Sequence, residues 1–181
     1  MISNNFKESN EFLSKALKLK NDFFQAANNQ ANLFLKINKA NDAIELLKKF
    51  ENDENSKNYI LNFTLANAYQ QSGDFKNSRK YYEKCLKINP KSCEPDKAIS
   101  LMTNYKNDGT NHIANMKKKL NNKLSKVDLM LLNFSLGKAY EDLDDYKNSL
   151  SYLKNANKLN NELTEYNSTK EKKNFWKYQI N

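Results

Sequence analysis

One design is written twice in this chain. "LANAYQQSGDFKNSRKYYEKCLKINP", residues 65–90, returns as "LGKAYEDLDDYKNSLSYLKNANKLNN", residues 136–161. A self-similar segment restricts the available folds, because each copy must build the same small unit and bury its apolar face against a neighbour. Leu65 and Tyr69 lie one turn apart with the small Ala66 between them, which predicts a helix with a single apolar seam. "QQSGD" interrupts it: Gly73 is free to take the positive φ that ends a helix, and Asp74 is placed to cap the next one. In that second helix Ser78, Tyr82, Cys85 and Leu86 recur at spacings of three and four, and Pro90 closes the unit. The pair predicts a helical hairpin. Three Gly and two Pro among 181 residues leave little turn chemistry for a many-turned β fold.

Leu65, Ala66, Tyr69, Ser78, Tyr82, Cys85 and Pro90 resemble the spacing of the tetratricopeptide repeat, a 34-residue helical hairpin. Leu136, Gly137, Tyr140, Ser149, Leu153 and Ala156 repeat it, with Asn161 where the closing proline would stand. Ala31, Phe34, Ala43 and Leu47 give a more degenerate copy, and "FKESNEFLSKALKLKND" reads as a second helix alone, with Leu13 and Ala16 in its packing slots. The expected organisation is a partial repeat at 1–22, a degenerate repeat at 24–57, a regular one at 59–92, an irregular helical pair at 93–129, a regular repeat at 130–163 and a capping or linker helix at 164–181. In the irregular stretch one helix is expected to start at Pro95, a second to be capped by Thr110, and "SKVD" to form a capping box. The fold class implied is all-α: a right-handed solenoid of stacked hairpins. Such stacks end in polar capping helices, so either Met1 is not the natural start or the lone first helix is the cap.

The irregular stretch carries a narrower resemblance. "MTNYKNDGTNHIANMKKKL" followed by "LLNFSLGKAYEDLDDYKNSLSYLKNANKLNNEL" resembles the segment that bacterial tetratricopeptide-repeat sulfotransferases place before their catalytic domain. Asp144 replaces that family's turn glycine, and Asn160 and Asn161 replace its arginines. The resemblance implies a parent transferase using 3′-phosphoadenosine 5′-phosphosulfate. The chain has no "PRSGTT"-like loop to cradle the donor phosphate, since Gly73 and Gly137 lie inside hairpins and no apolar strand precedes Gly109. The expectation is therefore a non-catalytic helical module without a cofactor, the helical arm of a protein of that sulfotransferase type lacking its catalytic domain; the alternative is the part of an active sulfotransferase that presents the substrate.

Other function classes are narrowed by composition. No run approaches the roughly 18 apolar residues of a membrane span, and "MISNNFKESN" lacks the pattern of a secretory signal, so a cytoplasmic protein is expected. The net charge of +9 comes almost wholly from lysines spread along the chain beside Asn, Ile, Tyr and Phe, which argues against a nucleic-acid partner. Cys85, Cys93 and His112 are too irregularly spaced for a zinc site; buried thiols and a helix-start histidine are the plainer reading. "EDLDD" reads as a solvated turn with acidic helix starts, and no catalytic residue is assigned.

The functional expectation is a groove for a protein or peptide, lined by the first helix of each repeat. Asn28, Asn32 and Lys36 lie a turn apart on one such helix, and Thr64, Asn67 and Gln71 on the next, and the Asn and Gln amides among them are placed to hydrogen-bond a peptide backbone. Phe63 and Phe134 would supply apolar anchors. A clamp for acidic chaperone C-termini is disfavoured, because Phe63 stands one turn before Asn67 where that clamp has a lysine. The C-terminal Phe175, Trp176, Tyr178 and Ile180 are expected either to cap the last hairpin or to form an exposed apolar patch.

Overall fold

A computed structural model describes residues 2–52, 57–108 and 110–179, with side chains described for 6–52, 57–108 and 110–164. Among the described residues the elements are α1 (Ile2–Leu19), α2 (Phe24–Lys36), α3 (Ala40–Lys48), α4 (Tyr59–Gln71), α5 (Phe75–Ile88), α6 (Glu94–Met102), α7 (Thr110–Leu120), α8 (Lys126–Asp142) and α9 (Tyr146–Gln179), with no strand. No helix among them is long and apolar enough to cross a membrane. The chain forms two compact units, Met1–Pro90 and Lys91–Asn181.

In the first unit α1 packs on α2, α2 on α3, α3 on α4 and α4 on α5, while α2 also touches α4 directly. Small residues permit this close alternation: Ala27, Ala31, Ala43, Ala66 and Ala68 are fully buried beside Leu47 and Leu65. Both hairpins turn through a left-handed residue, Asn38 at φ 60° and Gly73 at φ 84°. The next amide closes back on the helix end, Lys39 N donating to Phe34 O (2.8 Å) and Asp74 N to Tyr69 O (2.9 Å). Asp74 then caps α5 by accepting from Asn77 N at 3.0 Å. Inside the hairpin Ser78 Oγ donates to Ala66 O at 2.9 Å, so the small slot of α5 is also a polar tie to α4. Cys85 fills the neighbouring slot, and burial pushes its thiol up to about 12.

A charged cluster closes the far side of this unit. Glu51 accepts from Lys48 (2.5 Å), Lys84 (2.9 Å) and the hydroxyl of buried Tyr81 (2.9 Å). Burial alone would raise the Glu51 carboxyl, but those donors bring it down to about 2.

The second unit begins less regularly. α6 and α7 each lean on α8, and α8 pairs with α9. Cys93 precedes α6, Pro95 sits in its first turn, and Ser125 caps α8 by accepting from Asp128 N at 3.0 Å. Met116, Tyr105, Leu132 and Leu136 form the core with Cys93 and Ala139. The turn from α8 to α9 repeats that of the first unit with Asp144 at φ 59°, Asp145 N donating to Tyr140 O at 2.9 Å. α9 then runs unbroken to Gln179, so the helix of the last hairpin continues beyond residue 163. The side chains of Phe175, Trp176 and Tyr178, and all of Ile180, lie outside the described residues.

Candidate interaction surface

In the first unit the two first helices, α2 and α4, lie side by side, and the polar residues expected to face a peptide are partly what joins them. Thr64 is buried and its hydroxyl donates to Asn28 Oδ1 at 2.8 Å. Gln71 Nε2 donates to Leu35 O at 3.0 Å and to Asn38 Oδ1 at 2.8 Å, holding the end of α2. The physical reason is that a first helix in such a stack is covered from two sides. α4 is accordingly buried at Leu61, Asn62, Thr64, Leu65, Ala66 and Ala68, which leaves Ile60, Phe63, Asn67 and Gln70 as its outer row. Asn32 and Lys36 are exposed on α2.

Half-buried Phe63 and Asn67 remain on the outer row of α4. Phe63 stacks on Tyr59 (centroids 5.8 Å, interplanar 11°) and meets Tyr82 edge-on at 5.7 Å. The Tyr82 hydroxyl reaches Asn67 Oδ1 at 2.5 Å and Gln70 Oε1 at 2.9 Å, and burial raises its pKa, so it stays a proton donor. The hydroxyl has one proton to give, so it binds one of these amide oxygens at a time, Asn67 Oδ1 being the nearer. The result is an aromatic platform beside the Asn67 and Gln70 amides, with Asn32 and Lys36 on the adjacent helix. It can stack an apolar side chain and donate hydrogen bonds to main-chain carbonyls.

Phe134 belongs to the second unit, on α8, with Lys97 Nζ 5.1 Å over its ring. Burial lowers the pKa of Lys97. On the same helix Lys138 donates to Thr103 O and to Asp142 Oδ2, and Asp142 also accepts from Tyr105 N at 3.0 Å. "EDLDD" is thus a fastening: Asp142 holds the segment before α7, Asp144 pairs with Lys106 at 2.7 Å, and Asp145 accepts from Asn148 N at 3.2 Å to start α9.

A polar network without any periodic signature in the sequence joins α6 and α7. His112 is buried; its Nδ1 is 2.7 Å from the Tyr105 hydroxyl and its Nε2 3.2 Å from Asp96 Oδ1. Lys119 donates to Asp96 Oδ2 and to Ser92 O. The histidine at the start of α7 is therefore an interior tie between α6 and α7. Burial and the nearby Asp128 carboxylate push the Cys93 thiol up to about 12, which makes it a packing group and not a nucleophile. No group of three His, Cys, Asp or Glu side chains among the described residues could hold a metal ion.

Comparison with known proteins agrees with this geometry. Residues 59–92 and 132–163 match the family model described as "Tetratricopeptide repeat", so the chain carries two such repeats by sequence. No curated protein matches it. Among solved structures, the crystal structure of MamA superposes with a TM-score of 0.73 at 18% identity, covering 91% of this chain and 94% of that one. MamA 41-end from Desulfovibrio magneticus RS-1 gives 0.55 at 17% identity over 65% and 66%. A structure of nearly identical TPR-like repeats of a Podosopora anserina kinesin light chain gives 0.67 at 13% identity over 89% and 90%. The fold is the all-α tetratricopeptide-repeat solenoid. None of these is named as a sulfotransferase, so that resemblance rests on the sequence segment alone.

Proposed function

We propose that this chain is a non-catalytic module that binds a protein or peptide on the outer row of its first helices. The observation that carries this reading is the Tyr59, Phe63 and Tyr82 ring cluster with the Asn67 and Gln70 amides within hydrogen-bond reach of the Tyr82 hydroxyl. Such a surface offers stacking area and carbonyl-directed donors without a nucleophile or general base. Buried thiols in each unit fit a reducing compartment such as the cytosol.

The test is a display library of unstructured peptides panned on the full chain. Selected peptides are expected to contain an apolar anchor and to lose about tenfold in affinity, ~1.4 kcal/mol, on Phe63→Ala or Asn67→Ala at unchanged helicity. A library that yields no binder, or binders indifferent to both substitutions, would reject the platform as a site.

The reading as the helical arm of a sulfotransferase is second. Its motif residues Tyr105, His112 and Met116 are interior, packed or bonded to one another and to α8, so what they carry is the fold of this segment. A transferase role would require a donor site that none of these residues provides.

A further inference from the structure

A cavity of about 410 Å³ lies in the second unit, where the end of α7 meets α8 and α9. Leu120, Leu129 and Leu159 give it apolar walls, and Tyr152, Asn155 and Lys158 line it with polar groups. The repeat identifies its counterpart in the first unit. Pairing Leu65 with Leu136 and Tyr69 with Tyr140 sets Tyr81 on Tyr152, Lys84 on Asn155 and Lys87 on Lys158. The two tyrosines have the same setting, Tyr81 stacking on Tyr69 at 5.4 Å and Tyr152 on Tyr140 at 5.5 Å. In the first unit this corner is filled. The Glu51 carboxylate accepts there from the Tyr81 hydroxyl (2.9 Å), from Lys84 Nζ (2.9 Å) and, at the end of α3, from Lys48 Nζ (2.5 Å).

The second unit keeps the donors and lacks the carboxylate. Glu51 is brought in by residues 49–58, which join α3 to α4, whereas α7 and α8 are joined by the shorter segment 121–125, "NNKLS", which contains no acid. Among the described residues the Tyr152 hydroxyl, the Asn155 amide and the Lys158 ammonium have no hydrogen-bond or ion-pair partner. Glu162 also borders the cavity, but Lys126 Nζ engages it at 2.8 Å, which leaves the positive charge of Lys158 to the site.

We propose that this cavity binds a carboxylate carried on an apolar body, held as the Glu51 side chain is held in the first unit. The Tyr152 hydroxyl and the Asn155 amide each donate to the carboxylate oxygens, and Lys158 supplies the countercharge. Leu120, Leu129 and Leu159 take the hydrocarbon. A free organic acid and an acidic residue of a peptide both present this group, and the recognition chemistry is the same for either. The site belongs to the other unit from the Phe63 platform and does not rest on it.

The probe is isocaproate, a branched aliphatic acid, titrated into the full chain at constant ionic strength and followed by backbone amide NMR shifts, with isocaproamide and inorganic phosphate as controls. Saturable shifts are expected in α8 and α9 for the acid, with the amide about tenfold weaker and no saturation by phosphate. Tyr152→Phe removes only the hydroxyl and keeps the ring that stacks on Tyr140, and Lys158 is exposed, so neither Tyr152→Phe nor Lys158→Gln threatens folding. Each should weaken the acid about tenfold, while Asn67→Ala in the other unit leaves it unmoved. A capped Leu-Glu-Leu peptide forms the second arm: tighter binding than isocaproate assigns the carboxylate to a peptide, weaker binding to a free acid, and either result upholds the site. No saturable binding of either probe, equal binding of acid and amide, phosphate binding as well as the acid, or indifference to Tyr152→Phe at unchanged helicity would overturn the proposal.

Discussion

The hairpin α4–α5 and the hairpin α8–α9 share a frame and differ in what they do with its outside. The frame is the same residue by residue. Leu65 and Leu136 are wholly buried, Tyr69 and Tyr140 stack on Tyr81 and Tyr152, and Asn62 and Asn133 each return their amide to the preceding turn. The outer row diverges. In α4–α5 it presents Phe63 and Asn67, the latter oriented by Tyr82. In α8–α9 the corresponding residues are Phe134, under the Lys97 ammonium, and Lys138, which binds Thr103 O and Asp142. Packing therefore dictates the inward positions alike in both copies. The outward ones are left to vary, one as an open platform and the other as an anchor for the irregular pair α6 and α7.

The largest effect expected is one the two hairpins share. Leu65→Ala and Leu136→Ala each remove a fully buried side chain and should each cost about 2–5 kcal/mol in chemical denaturation. A large loss at one and almost none at the other would break the equivalence of the frames. A smaller effect separates them. The α8–α9 pair has Gly137 where α4 has Ala66, and a Cβ at 137 would lie 2.6 Å from Leu153 Cδ2 and 2.7 Å from its Cγ. Alanine gains about 1 kcal/mol over glycine inside a helix, while overpacking costs about 1–3, so Gly137→Ala should be a net loss of up to about 2 kcal/mol. In a Leu153→Ala background the same change should stabilise. Tyr82, the counterpart of Leu153, instead extends towards Phe63 and Asn67, which is why Ala66 is accommodated.

Much of this frame was legible in the sequence, and the reason is locality. Leu65, Tyr69, Ser78 and Cys85 announce themselves by helical spacing, and Gly73, Asp74 and Ser125 by turn and cap chemistry that acts within a few residues. What was not legible depends on partners far along the chain. Thr64 and Asn28 looked like peptide ligands because the period of one helix cannot say that a second first helix lies across it; they bond each other instead. The same limit hid Asp96, His112 and Tyr105, whose pairing joins two short helices with no repeated pattern. Of the candidate groove residues, Phe63 and Asn67 lie a turn apart on α4, and that Tyr82 meets the ring of one and the amide of the other required coordinates.

The smallest expected difference lies in the turns. Gly73, at φ 84°, has nothing within 4 Å of where a Cβ would stand, so Gly73→Ala tests backbone strain alone and should cost about 1 kcal/mol. Asp144 occupies the same left-handed place at φ 59°. Aspartate tolerates that conformation better than alanine, yet glycine does so without a Cβ penalty. Asp144→Gly gives up the 2.7 Å contact with Lys106 and the 3.1 Å bond from the Tyr146 hydroxyl, both exposed and so of little net value. The two substitutions should therefore move the melting temperature in opposite directions, each by about 2–4 °C or less for a chain of this size. If Asp144→Gly lowers it as far as Gly73→Ala does, the Lys106 and Tyr146 contacts outweigh the strain. The second hairpin's turn would then act, like its Lys138 and Asp142, as a tie to the irregular pair.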